Sequence, residues 1–186
     1  MNFKSVGMAL AAASFAALGS ASAAVMVVGN GPELACYNSA KAGETSNLAI
    51  KDCTEALENG ALSPRDRAAT FTNRSAMLVT RGDAKEALAD TDNALRIEPS
   101  MTAASVNRAA ALIELSRYEE ARSTIDAAIP LATGVELQRA LYNRAVAREA
   151  LGDVKGAYAD LKRALELDPS FEAARIELTR YQVVRK

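Results

Sequence analysis

The chain has 186 residues and a nearly balanced charge, with 22 basic and 23 acidic side chains. It contains no histidine, so the commonest general base and the commonest zinc ligand are both missing, and its weak net charge disfavours nucleic acid as a partner. The composition therefore argues against an enzyme and against a nucleic-acid-binding protein, and the length suits one domain or one short array of repeats.

Residues 1–23 have the layout of a cleaved secretory signal. Lys4 precedes an apolar run over 6–18, and small residues close the segment, with Ala21 and Ala23 forming an Ala-x-Ala cleavage site. The run is shorter than the roughly 20 apolar residues of a membrane-spanning helix. We therefore expect cleavage near Ala23, export to the periplasm of a bacterium, and a mature protein that does not insert into the membrane.

Residues 24–31 form a short linker, and residues 32–67 predict a degenerate helical repeat. The first helix of this unit, over about 33–42, is short and poor in large apolar residues. The second helix contains residues 49–57, which follow the pattern of the later segment 87–95. Ser63 then caps the next helix, and Pro64 occupies its first position.

Three full units follow, over 68–101, 102–137 and 138–171. An Asn-Arg-small triplet recurs at intervals of 34 and 36 residues, beginning at Asn73, Asn107 and Asn143. Glycine followed by aspartate ends the first helix and caps the second in two of the units, because glycine adopts the left-handed closing conformation at little cost. Small residues fall where the helices cross, which permits close antiparallel packing. These residues are Ser75, Ala87, Ala94, Ala109, Ala121, Ala128, Ala145, Ala157 and Ala164.

The middle unit departs from this pattern. Ser116 replaces the turn glycine, Pro130 falls inside the last turn of the second helix, and two residues are added before the next unit. We expect a shifted bend there. After the third unit, residues 172–184 predict one more amphipathic helix, so that residues 172–186 cap the open end of the stack.

These features resemble the tetratricopeptide repeat family, whose 34-residue helix-turn-helix unit has the same small-residue frame, Gly-Asp turn and terminal proline. The resemblance covers the three full units. It implies an all-α fold, a right-handed superhelical solenoid of antiparallel helix pairs whose first helices line a concave groove. It also implies a protein or peptide partner, and we expect no cofactor.

The family resemblance gives the recurring asparagines a role. It implies that Asn73, Asn107 and Asn143 bond to the backbone of an extended peptide in the groove. The alternative is that each asparagine satisfies a turn or a neighbouring helix. We expect Asn107, in the central unit, to matter most to binding, and we expect its replacement by alanine to be mild for stability.

The residues around the asparagines set the expected chemistry of the groove. Members of the family that clamp a C-terminal carboxylate use basic residues near these asparagines. In this chain, Arg139 is the one basic residue among the corresponding groove positions. We therefore expect a mixed apolar groove. It would be lined by Thr72, Ala76, Val106, Ala110, Ile113, Tyr142 and Val146, with Arg139 beside them.

Arginines recur on first helices and aspartates on second helices. The arginines are Arg74, Arg108 and Arg144, and the aspartates are Asp52, Asp90 and Asp160. We interpret them as structural ion pairs, because an arginine fork suits a carboxylate. The sequence leaves open whether each arginine pairs within its own unit or with the preceding one. Thr124 occupies the corresponding place in the middle unit, so one arginine lacks its aspartate under either scheme.

Cys36 and Cys53 predict a disulfide in the first unit. Export places the chain where disulfides persist, and antiparallel helices bring the two residues level with each other. A buried pair of free thiols is the alternative.

These expectations lead to a binding protein of the cell envelope that takes a polypeptide partner in its concave groove. Carboxylate pairs such as Glu119 and Glu120 lie on an ordinary helix surface, without the desolvated pocket that acid-base catalysis needs. We therefore expect no enzymatic activity. The alternative function is a structural subunit that docks into a larger envelope assembly through its convex face or its ends.

Overall fold

The computed structural model describes residues 2–5 and 23–184. Within these ranges the chain forms nine helices and one pair of short strands. The helices of the paired units are α1 (Pro32–Ala42), α2 (Asn47–Asn59), α3 (Pro64–Arg81), α4 (Ala84–Ile97), α5 (Thr102–Glu114), α6 (Tyr118–Ala128), α7 (Gly134–Ala150) and α8 (Val154–Leu167). The remaining elements are α9 (Glu172–Leu178), β1 (Asn2–Ser5) and β2 (Tyr181–Val184), and the two strands pair antiparallel.

The helices form two layers. Each first helix packs against its own second helix, and α1, α3, α5 and α7 also pack on one another in succession. The second helices α2, α4 and α6 instead pack against the first helix that follows them. The layer of first helices is therefore the tighter, inner one, and it forms the concave side of an all-α solenoid.

The turn within each unit is closed by one left-handed residue. Gly82 has a φ of 90°, and the N–H groups of Gly82 and Asp83 donate to carbonyls in the last turn of α3. Ser116 has a φ of 58°, and the same two hydrogen bonds close α5. The bend expected at Ser116 is therefore not shifted, because the serine takes the glycine conformation.

The extra residues of the middle unit lie in the connection between α6 and α7. Helix α6 ends at Ala128, so Pro130 lies in the turn after the helix and not in its last turn as expected. Proline lacks an N–H group and clashes with the preceding helical turn, which explains why the helix stops first. Helix α7 then begins at Gly134, four residues before the predicted start of its unit.

The core has the frame of small residues that the sequence predicts. The nine residues at the predicted crossings are all buried, with at most 5% of their surface exposed. Larger side chains fill the spaces between the units, and Met77, Leu112, Ile125 and Leu161 are almost completely buried. Burial of each such side chain stabilises the fold by about 1.5–3 kcal/mol.

The recurring arginines link three helices each. Arg74 forms a fork with both carboxylate oxygens of Asp90 in its own unit, at 2.7 Å, and it also donates to the hydroxyl of Thr54 in the preceding unit, at 2.9 Å. The other two arginines repeat this arrangement: Arg108 bonds Thr124 and Asp92, and Arg144 bonds Asp160 and Asp126. Each arginine thus pairs within its own unit and with the preceding one, and Arg108 keeps a carboxylate despite Thr124.

The first unit is closed by the predicted disulfide. Cys36 on α1 and Cys53 on α2 are bonded, with their Cα atoms 4.7 Å apart, and both side chains are fully buried. The bond joins the two helices of the unit that the sequence predicts to be degenerate.

The C-terminal helix is shorter than expected. Helix α9 ends at Leu178, and Tyr181–Val184 are extended, whereas the sequence predicts a helix to residue 184. Arg180 and Tyr181 both donate hydrogen bonds to the carboxylate of Glu149 on α7, at 2.8 and 2.7 Å. These two contacts hold the chain away from the path that a longer helix would follow. The β-branched residues at the end of the chain also favour an extended backbone.

Candidate binding groove

Two cavities lie on the side of the first helices. The larger, of about 420 Å³, lies where these helices end, and residues of α5 and α7 contribute to its lining, together with the start of α4 and Arg180. The smaller, of about 390 Å³, lies near the starts of α3, α5 and α7. Residues predicted for the groove occur in the larger cavity, which Ile113 and Val146 line. Open space is therefore present at both ends of the first helices.

Two of the three recurring asparagines connect neighbouring first helices. The amide of Asn107 donates to the carbonyl of Thr72 at 3.1 Å and to the hydroxyl of Ser75 at 3.2 Å. The amide of Asn143 donates to the carbonyl of Val106 at 3.1 Å. Both asparagines are buried. Their geometry follows the alternative in which the side chain satisfies a neighbouring helix.

Asn73 makes a different pair of bonds. Its amide N–H donates to the carbonyl of Val25 at 2.8 Å, and its side-chain oxygen accepts from the N–H of the same residue at 2.6 Å. Asn73 thus bonds the backbone of an extended segment, as the family resemblance implies for a bound peptide. The backbone that it holds belongs to the protein's own N-terminal segment, residues 23–28.

The N-terminal segment is stretched along α3. The N–H of Val28 donates to Asp66, in the first turn of α3, so Asp66 and Asn73 mark the two anchors of the segment. The seven residues from Asp66 to Asn73 rise about 10 Å along the helix, and the three from Val25 to Val28 span about 10 Å only when extended. The segment therefore runs antiparallel to α3 in an extended form.

The remaining predicted groove residues are mostly covered. Thr72, Ala76, Val106 and Tyr142 are buried, whereas Ala110, Ile113 and Arg139 are partly exposed. The ring of Tyr142 packs edge-on against Phe171, with centroids 5.4 Å apart. Its buried hydroxyl has no hydrogen-bond partner among the described residues, and burial raises its pKa. The surface that a partner can reach therefore lies nearer the ends of the first helices than the sequence predicts.

Carboxylates dominate the polar part of the larger cavity. Burial raises the pKa of Glu114 to about 7, and the charge of Asp83 adds to this effect. The cavity's other acidic lining residues are Glu86 and Glu149, and its basic residues are Lys85 and Arg180. The sequence interpretation missed Glu114, although this residue continues the four-residue spacing that begins with Val106 and Ala110.

Metal and membrane sites are not evident in the described part of the chain. Over residues 2–5 and 23–184, no three side chains of the metal-binding types come together. The helices described here also include none with the length and hydropathy required to cross a bilayer.

Replacing Asn107 by alanine is expected to lower the free energy of unfolding by about 1–3 kcal/mol, because two buried hydrogen bonds are lost and each contributes about 0.5–1.5 kcal/mol. This reverses the expectation of a mild effect, which assumed an asparagine open to water. Thermal unfolding checks it, with Asn38→Ala on the exposed face of α1 as the matched control. Equal melting temperatures for the two variants would contradict the structural role of Asn107.

Comparison with known proteins identifies the repeats. Two family models described as tetratricopeptide repeat match the chain, one over residues 78–145 and the other over residues 139–171. Together they reach from residue 78 to residue 171, about half of the chain. The matched region contains the second and third of the arginine links described above.

Curated and solved relatives share this repeat. Human sperm-associated antigen 1 is 35% identical over 94 residues, which are 50% of this chain and 10% of that protein, so the chain spans about a tenth of this relative. The second TPR domain of human RPAP3, solved with the HSP70 peptide SGPTIEEVD, is 25% identical with a TM-score of 0.57, covering 63% of this chain and 97% of that one.

A bacterial structure shares the fold over more of the chain. MamA from Desulfovibrio magneticus RS-1 has a TM-score of 0.61 at 19% identity, over 82% of this chain and 84% of that one, which is evidence of fold alone. The family models, the helix pairs and the Gly-Asp turns agree with one another. The chain therefore belongs to the tetratricopeptide repeat family.

Proposed function

We propose that this protein binds an extended segment of a polypeptide partner along its inner face, in the cell envelope. The observation that carries the proposal is the cavity of about 420 Å³ at the ends of the first helices. It combines apolar walls from Ile113, Val146 and Ala150 with a few polar groups, which is the usual make-up of a ligand site. Repeats of this family act as interaction modules, and we expect no catalytic activity.

The charge of the cavity narrows the chemistry of the partner. The lining of the larger cavity contains four acidic and two basic side chains, and this excess of carboxylates disfavours an acidic segment such as the HSP70 peptide bound by the RPAP3 domain. Among the residues expected to line the groove only Arg139 is basic, which argues in the same direction. The partner segment that suits this surface is apolar, with a neutral or basic residue facing the carboxylates.

Two features support a location in the envelope. The first 23 residues have the layout of a cleaved signal. The Cys36–Cys53 disulfide is typical of compartments in which thiols are oxidised. The mature protein would then begin near Ala24 and remain in the periplasm.

The alternative function is docking through another surface. Leu131, in the connection between α6 and α7, and Val135, in the first turn of α7, are more than half exposed, at 59% and 56%. A larger assembly that covers this connection would leave the inner face free. The experiment below distinguishes the two functions.

The test uses protein expressed with its leader and recovered from the periplasm, with an intact mass that begins at Ala24. This protein is the bait for crosslinking and capture from envelope extract. Ala150→Glu places a charge in the cavity, and we expect it to reduce capture of the partner roughly tenfold or more, because a buried unpaired charge is costly.

Ala127→Glu is the matched control, since Ala127 is exposed on the second helix α6. It should capture the partner as well as the unchanged protein does. Equal capture by both variants would contradict binding in the cavity and favour docking elsewhere. A mass that retains the leader would contradict cleavage near Ala23.

A further inference from the structure

The three recurring asparagines occupy equivalent places but hold different partners. Asn107 and Asn143 reach carbonyls that lie ten residues before the closing residue of the preceding first helix. The equivalent position before Gly43 is residue 33, the second residue of α1. Helix α1 has barely begun there, and Asn73 takes the N–H and carbonyl of Val25 instead.

The surface at Asn73 therefore recognises an extended backbone. Both hydrogen-bonding groups of one residue are satisfied by a single side chain, and the contact is independent of the identity of the residue held. Specificity comes from the alternating side chains. Val27 is buried, with 4% of its surface exposed, and Val25 is partly buried, whereas Met26 and Val28 are 71% and 83% exposed. The buried positions accept small or β-branched apolar side chains.

The occupied surface borders open space. Val25 lines the smaller cavity of about 390 Å³, which extends across the starts of α5 and α7. A second extended segment can thus contact this cavity while the N-terminal segment is still in place. Residues 23–28 belong to no helix or strand, and the described hydrogen bonds that hold the segment to α3 involve only Asn73 and Asp66.

We infer that residues 24–28 are a built-in occupant of the partner's binding surface on α3. The partner displaces them with an extended segment of the same chemistry, one with small or β-branched apolar residues at alternate positions. This inference rests on the proposed function, and it adds a regulatory step, because the free N-terminal segment competes with the partner for Asn73.

The probe for this step is a fluorescent peptide with the sequence of residues 24–30, AVMVVGN. Its binding is measured by polarisation to the mature full chain and to two variants of it. In Val27→Asp a carboxylate replaces a buried valine, so the protein's own segment leaves the surface and the peptide should bind roughly tenfold more tightly or better.

Met26→Asp is the matched control, because it adds the same charge at an exposed position next to Val25. It should bind the peptide as weakly as the unchanged protein. Addition of Asn73→Ala to the Val27→Asp variant should remove the gain. If Val27→Asp does not fold, the milder Val27→Ala should give a smaller gain in the same direction.

Equal binding of the peptide to all variants, or binding to none, would overturn the inference and make the segment a fixed brace. The proposed function fails separately. In one outcome the peptide binds the Val27→Asp variant while the Ala150→Glu variant still captures the partner fully. That result would support the binding surface on α3 and contradict partner binding in the larger cavity.

Discussion

Replacing Arg74 by alanine is expected to lower the free energy of unfolding by about 3–5 kcal/mol, because it leaves a buried carboxylate without its counter-charge. Asp90 is only 4% exposed, and Arg74 bonds both of its oxygens at 2.7 Å. Asp90 is buried between α3 and α4, and Arg74 covers it with a side chain that is 20% exposed. Urea denaturation of the variant and the unchanged protein measures the loss.

Arg144→Ala is the matched comparison. It removes the equivalent fork in the last full unit, but Asp160 keeps a second arginine, Arg148, at 2.8 Å. The loss should therefore be clearly smaller than for Arg74→Ala. Equal losses in the two variants would show that the cost arises from lost side-chain packing and not from the uncompensated charge.

The pH dependence gives an independent check. Burial raises the pKa of Asp90, and Arg74 opposes this rise, so removal of Arg74 raises the pKa further. A folded-state pKa above the unfolded value means that unfolding becomes easier as pH rises through the interval between them. The loss in free energy of unfolding caused by Arg74→Ala should thus be largest near about pH 7 and become smaller toward about pH 4. A deficit that stays constant over this range would contradict the assignment.

Replacement of both cysteines by alanine is the second large effect, with an expected loss of about 3 kcal/mol in the chain-entropy model. Cys36 and Cys53 are 17 residues apart, and the bond holds an 11-residue helix, α1, whose other buried side chain is Ala40. Isolated helices of this length are marginal in water. The damage should therefore be concentrated in α1.

Hydrogen exchange measures where the stability is lost. In the double alanine variant the amides of α1 should exchange much faster, while those of α5 to α8 should keep most of their protection, because units of a repeat array depend mainly on their neighbours. Reduction of the unchanged protein is the control and should give the same pattern. Undiminished protection in α1 would mean that packing alone holds the helix.

The repeating part of the fold follows closely from local sequence signals. Gly82 and Asp83 mark a turn because their preferred conformations are local properties, and the crossings at Ala121 and Ala157 are readable because only small residues fit there. The Cys36–Cys53 bond also follows, since antiparallel helices place the two residues level. Periodicity carries this information without any knowledge of the rest of the chain.

The candidate site was less predictable. Asn73 and Asn107 begin equivalent Asn-Arg-small triplets, yet one holds an irregular segment and the other a helix, because the outcome depends on where α1 begins. The end of α9 depends in the same way on Glu149, which is distant in sequence from the residues that it binds. Such tertiary contacts leave no periodic signal in the sequence.

The arginine links also differ in strength between the three junctions that join successive units. At the second and third junctions the acceptor in the preceding unit is a carboxylate, Asp92 or Asp126, whereas at the first junction it is the hydroxyl of Thr54. A bond to a neutral acceptor is weaker than one between opposite charges. Under a pulling force the first junction is thus the joint that yields first. The hairpin of α1 and α2 would then separate as one piece, still closed by its disulfide, and leave a shorter rod intact.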